Sequence, residues 1–223
     1  MNFAQAQQGI NHAISLLSSV TQIENIEFRN NERIISWIGR LPGISRDTYY
    51  ALEYQSLLDR QQYSVLLSDG SYFQFFYEFD DADNLKLGRL AYYPRPVETR
   101  DELELIEDAA EGAADRDDDN LFNHLHCWTE LIDAGLAKPA NTSHLRLDFD
   151  RSAKSHSVAH LQFGATQNFR VPADFFPQPI AFIQLCRSLL PQCDEASQPH
   201  LQFSQNHSLR LARDKGLISL GSL

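Results

Sequence analysis

The segment HLRLDFD, residues 144–150, alternates polar and apolar side chains without a break. A pleated strand sends successive side chains to opposite faces. Leu145, Leu147 and Phe149 therefore take one face, and His144, Arg146, Asp148 and Asp150 take the other. HSVAHLQFG, residues 156–164, alternates in the same way, and the five residues 151–155 between the two segments suit an antiparallel hairpin. Symmetric closure pairs Asp150 with His156, Asp148 with Val158, Arg146 with His160 and His144 with Gln162, all on one side. After Gly164, Ala165 and Thr166, the same construction lays QNFRVP (167–172) alongside, with Asn168 opposite Gln162 and Arg170 opposite His160. The expected product is a three-stranded meander whose polar face centres on the row Arg146, His160, Arg170.

That face carries the residue types that bind and ionise, almost free of Lys, Glu, Ser and Thr. Two guanidiniums fork onto phosphate oxygens, and an imidazole beside them exchanges a proton near neutral pH. Asp148, a diagonal neighbour of His160, or a bound anion would offset the positive charge. An anion, phosphate or nucleic-acid backbone site is one reading, with Arg146, Arg170, Asn168, Gln162 and Asp150 as binding residues. A metal-independent ribonuclease or phosphotransferase is another. There His160 and His156 act as base and acid, Asp148 orients an imidazole, and the arginines stabilise the phosphorane. A metal-dependent nuclease using Asp148, Asp150 and His156 is a smaller option, because the arginines compete for those carboxylates. A hydrogen-bonded structural network and an ordinary wet sheet face are the bland readings. No cofactor or resident metal is expected.

Around the meander the chain reads as mixed helix and strand. Residues 3–19 repeat apolar positions at helical spacing behind Asn2 as N-cap, and RIISWIG (33–39) has the pattern of a strand. Ser45 is placed to cap a helix through Tyr50, Tyr54, Leu57 and Leu58. Residues 63–80 make two strands about Asp69-Gly70, a hairpin signal, and LKLGRLAYYP (85–94) makes another. Pro177 and Pro179 open a helix that Pro191 stops, and residues 200–212 offer a terminal strand. The expectation is one α+β domain over 1–223, with a mainly antiparallel sheet of six or seven strands and the N-terminal and 179–190 helices on one face.

Net charge, formally −11, argues against nucleic acid until it is located. Residues 98–119 hold eleven acids against Arg100 and Arg116, a local −9, which leaves −2 for the rest of the chain. Thr99-Arg100-Asp101-Glu102 is a capping-box pattern opening an acidic helix–loop insertion at 98–120, suited to docking a partner. A second helix is expected at 121–132, where His124 and His126 point apart and make a poor metal pair. Cys127, Cys186 and Cys193 form neither a disulfide framework nor a CxxC site. The common signatures of phosphate-cradling loops, dinucleotide folds, serine hydrolases and zinc proteases are missing. With neither a membrane-length apolar run nor a secretory leader, the expected location is the cytoplasm, with no membrane partner.

GRLAYYPRPV (88–97), HLRLDFD, HSVAHLQFG, NFRVP (168–172) and FIQLCRSLLP (182–191) together resemble a bacterial family known only as a domain of unknown function, number 2290. YFQFFYEFD (72–80) looks like the strand before them. The likeness covers roughly the central and C-terminal two-thirds and marks Arg146, Asp148, Asp150, His156, His160, Asn168 and Arg170 as family positions. It implies no activity, and the acidic insertion departs from the pattern. It does suggest mobile or antiviral gene neighbourhoods. The functional expectation is an accessory or recognition subunit of a multiprotein defence or toxin–antitoxin type system, with the ribonuclease or phosphotransferase as alternative. A protein partner and a phosphate or nucleic-acid ligand are expected.

Overall fold

The computed structural model describes residues 1–41, 50–96, 130, 143–163, 170–186 and 208–210. Helix α1 (Phe3–Leu17) begins where the sequence signals it. The Asn2 side chain accepts from the Gln5 N–H at 2.9 Å and the Gln5 side chain accepts from the Asn2 N–H at 3.0 Å, a reciprocal capping box. Its buried stripe, Ala6, Ile10, Ala13 and Leu17, recurs at three- and four-residue steps and packs into the core.

Three short strands follow: β1 (Thr21–Glu24), β2 (Ile26–Arg29) and β3 (Ile34–Trp37). Helix α2 (Tyr50–Asp59) comes next, then the hairpin of β4 (Val65–Leu67) and β5 (Tyr72–Phe79). Its turn holds Gly70 at φ +90°, a conformation that a Cβ resists. β6 (Leu85–Tyr93) pairs along the whole of β5, and β7 (Leu145–Asp150), β8 (Ala159–Phe163) and β9 (Val171–Ala173) extend the sheet. β10 (Phe175–Pro177) and β11 (Ser208–Arg210) form a separate pair, with helix α3 (Pro179–Cys186) between them in sequence.

The main sheet runs β1-β4-β5-β6-β7-β8-β9 and is antiparallel throughout. β3 lies end to end with β4 along one edge of β5, meeting Ile34 to Glu78 while β4 meets Val65 to Phe73. The α+β architecture with a mainly antiparallel sheet is the expected one. The sheet has nine strands where six or seven were expected, because β1 and β2 are short pieces with no clean alternation.

One face of the sheet is the principal core. Phe73, Phe75, Tyr77, Leu90, Tyr92, Leu147 and Phe149 lie there, under Ile10 of α1 and Phe182 of α3. Gly88 sits on this side because nothing larger fits: a Cβ there would come 2.6 Å from the Phe176 ring. Over the opposite face, among the described residues, α2 covers one part. Tyr50 and Tyr54 of α2 cover Tyr72, Ala91 and Tyr93, and donate hydroxyl hydrogen bonds to the Pro94 and Gly70 carbonyls, each at 2.6 Å. Among the described residues no helix is long and apolar enough to cross a membrane.

The meander exists, but its register differs from the symmetric closure. Asp148 pairs with His160, and Arg146 with Gln162. The hairpin closes later, with the Asp150 N–H donating to Val158 O at 2.8 Å. The reason is turn chemistry. Asp150 Oδ1 accepts from the Ser152 N–H at 2.8 Å and from its hydroxyl at 2.7 Å, curling the chain early and leaving His156 in the loop. β9 is shifted by the same two residues, so that Pro172, and not Arg170, lies opposite His160. A two-residue slip preserves side-chain parity, which is why the faces are those expected while the central row is not.

Candidate functional site

A continuous cross-strand row runs over the second face beyond α2: Phe76 beside Arg89, Arg89 beside Asp148, Asp148 beside His160, His160 beside Pro172. Asp148 is the hinge of this row. Its Oδ1 accepts from Arg89 Nε at 2.9 Å and its Oδ2 from Arg146 Nε at 2.8 Å. Arg146 also donates to Gln162 Oε1 through Nη2. His160 Nε2 stands 3.7 Å from Asp148 Oδ2, and its ring meets that of His156 edge to face with centroids 5.0 Å apart.

The charges settle accordingly. Burial raises the proton affinity of Asp148, but Arg89 and then Arg146 outweigh it and hold the carboxyl below its ordinary range. Burial lowers the His160 value, and Asp148 only partly restores it against His156 and Arg170. His160 is therefore a neutral imidazole at pH 7. Burial lowers the Arg89 value as well, yet Asp148 more than reverses this.

Sequence reasoning missed Arg89 and Arg40. Arg89 is a lone cation among Leu87, Ala91 and Tyr93 on the same face of β6, a pattern that marks an inward-facing charge. Arg40 follows β3 with no periodic signal. Its guanidinium lies 3.8 Å from the Phe76 ring centroid, a cation–π contact that delivers it to the start of the row. Burial, then Arg89 and Arg29, lower its pKa, with Glu78 opposing. Its buried Nε has no hydrogen-bond partner.

Arg40, Arg89, Arg146 and Arg170 line one cleft of about 250 Å³ together with Asp148, Asp150, His156 and His160. Arg170 is exposed, whereas Arg146 and His160 are each only 4% exposed. Gln162 stands behind Arg146. Asn168 lies outside the described residues, as do the acidic segment at 98–120 and the group His124, His126 and Cys127. His144, on the same face by parity, is not part of the cleft. It is 1% exposed beneath α2, with Nδ1 3.3 Å from Glu53 Oε2 and its ring 4.9 Å from that of Tyr93. The trio Asp148, Asp150 and His156 lines the cleft, but no three His, Cys, Asp or Glu side chains among the described residues come together as a metal site.

Fold and site thus define an α+β protein whose antiparallel sheet carries a cleft richer in guanidinium than in carboxylate. Residues 17–189 match the family described as uncharacterized conserved protein (DUF2290), and the chain belongs to that family. The matched span contains every residue of the cleft. Comparison with curated proteins and with solved structures finds no match in either.

Proposed function

We propose that the chain is a recognition subunit that holds an anionic ligand, a phosphate or nucleic-acid phosphate, in the cleft beside β6–β8. One observation carries the reading. Four arginines line the cleft, and among the described residues the carboxylate at ion-pair distance from any of them is Asp148, divided between Arg89 and Arg146. Among the described residues Arg40 and Arg170 have no carboxylate at ion-pair distance. Asp150 spends an oxygen on its own turn. A purely structural network would bring enough carboxylate to balance its guanidiniums, since uncompensated charge at low dielectric is costly. An arriving anion completes the balance. Docking to a protein partner through the acidic segment at 98–120 belongs to the same proposal, and a defence or toxin–antitoxin setting rests on the family resemblance alone.

Binding is favoured over turnover by the two histidines. A base and an acid flanking a phosphorane need the phosphate between them, and edge-to-face rings 5.0 Å apart touch each other instead. The test is fluorescence anisotropy of a 5′-phosphorylated RNA pentamer with the wild type and with Arg40→Ala/Arg170→Ala. Affinity should fall at least about tenfold in the double variant, on the scale of the lost charge-assisted hydrogen bonds. Undiminished affinity in a folded double variant, checked by circular dichroism, would sink the reading. Cleavage of the RNA by the wild type would turn it into the ribonuclease alternative.

A further inference from the structure

The cleft's charge, depth and volume say more about the ligand than its sign. Building on the anion-site reading above, we infer that the cleft receives a phosphomonoester end-on, the terminal dianionic phosphate of a nucleotide or sugar phosphate, and not an internal phosphodiester of a strand running through.

Charge is the first argument. Four arginines against Asp148 and Asp150 leave a formal excess of two positive charges around the cleft before either imidazole is counted. An internal phosphodiester brings one negative charge; a terminal phosphate brings nearly two near pH 7, and three acceptor oxygens. Only the latter matches the excess.

Depth is the second. The sheet is the floor of the cleft, paired without interruption from β5 through β8 behind Arg89, Asp148 and His160. Of its lining, Arg146 and His160 are almost inaccessible, while Arg170 is exposed. An anion that reaches from Arg170 toward Arg146 goes in by its end. The volume of about 250 Å³ leaves room for a phosphate and the sugar next to it.

A donor without an acceptor is the third. Arg40 Nε is buried without a partner. Buried polar atoms are normally satisfied, so this orphan on a residue lining the cleft marks a place where an acceptor oxygen belongs.

The unaltered protein tests this by calorimetric titration, so no variant has to fold. The probes are ribose 5-phosphate, inorganic phosphate, a dinucleoside monophosphate with one internal diester and no terminal phosphate, a phosphoserine tripeptide, and the 5′-phosphorylated RNA pentamer. Ribose 5-phosphate and the pentamer should bind with similar affinity, inorganic phosphate more weakly, and the dinucleoside monophosphate at least about tenfold more weakly. Equal affinity for the internal diester would overturn the end-on assignment while leaving the anion site standing. Tighter binding of the phosphopeptide than of ribose 5-phosphate would overturn the sugar-phosphate assignment. No binding by any probe would overturn both the inference and the reading it builds on.

Discussion

Asp148 and His160 set the electrostatics of the site at the level of single residues. Asp148 keeps two arginines pointed at one spot, and its lowered pKa is the thermodynamic image of that grip. A carboxyl depressed in the folded state contributes stability that is complete above its unfolded value, roughly 3.9, and lost as pH falls toward the folded value. Between pH 5 and 7.5 Asp148 is thus constant. His160 is the group of this pair whose pKa bears on the window. Its folded pKa is also lowered, so the unfolded chain takes up a proton first, at roughly pH 6.5, and the folded state gains none until lower pH. The contribution of neutral His160 is then fully present above pH 6.5 and declines below it. The stability advantage of wild type over His160→Gln, from urea unfolding, should shrink as pH drops from 7.5 to 5. An advantage that holds or grows would mean that Asp148, and not burial, dominates the imidazole.

Elements were legible where their own chemistry announces them. The capping box of α1, the Asp69-Gly70 hairpin, and the alternation in β7 and β8 stand in the sequence and in the structure alike. Register was not legible, because it was fixed by side-chain hydrogen bonds of Asp150 inside the turn, which no apolar pattern records. Nor was the site complete: Arg146, Asp148 and His160 could be placed on one face from parity, but Arg89 and Arg40 arrive from strands and loops some sixty and more than a hundred residues away. Such partners are set by which strand lies next to which. The pairing of β6 with the distant β7 is itself controlled by close packing, since Gly88, which pairs with Phe149, admits Phe176 onto the sheet. Gly88→Ala drives a methyl into that ring. It should cost about 1–3 kcal/mol in denaturant midpoint, and Phe176→Leu in the same chain should recover part of the loss. Full stability of Gly88→Ala alone would show that Phe176 does not hold β10 against the sheet.

Over the whole molecule the formal charge is −11, of which residues 98–119 carry −9, while the cleft holds a local excess of positive charge. Long polyanions feel the total field, and a ligand inside the cleft feels the nearby guanidiniums most. A groove built to track nucleic acid would be basic along its length, and its affinity would grow with every added phosphate until the site was filled. For a ligand held by its end, only the phosphate inside the cleft gains. Affinity for 5′-phosphorylated RNA should therefore be flat, or fall slightly, between oligomers of three and fifteen nucleotides. The salt dependence should be correspondingly shallow. Single-stranded ligands lose affinity with a log–log slope of about −0.7 for each phosphate charge neutralised, so one terminal phosphate with its two charges implies a slope of about −1.4. Anisotropy titrations with both oligomers at several salt concentrations measure the two quantities together. A slope of about −4 or steeper, with tighter binding of the longer RNA, would require a basic track beyond the cleft and would make the ligand a strand held along its length instead of by its end.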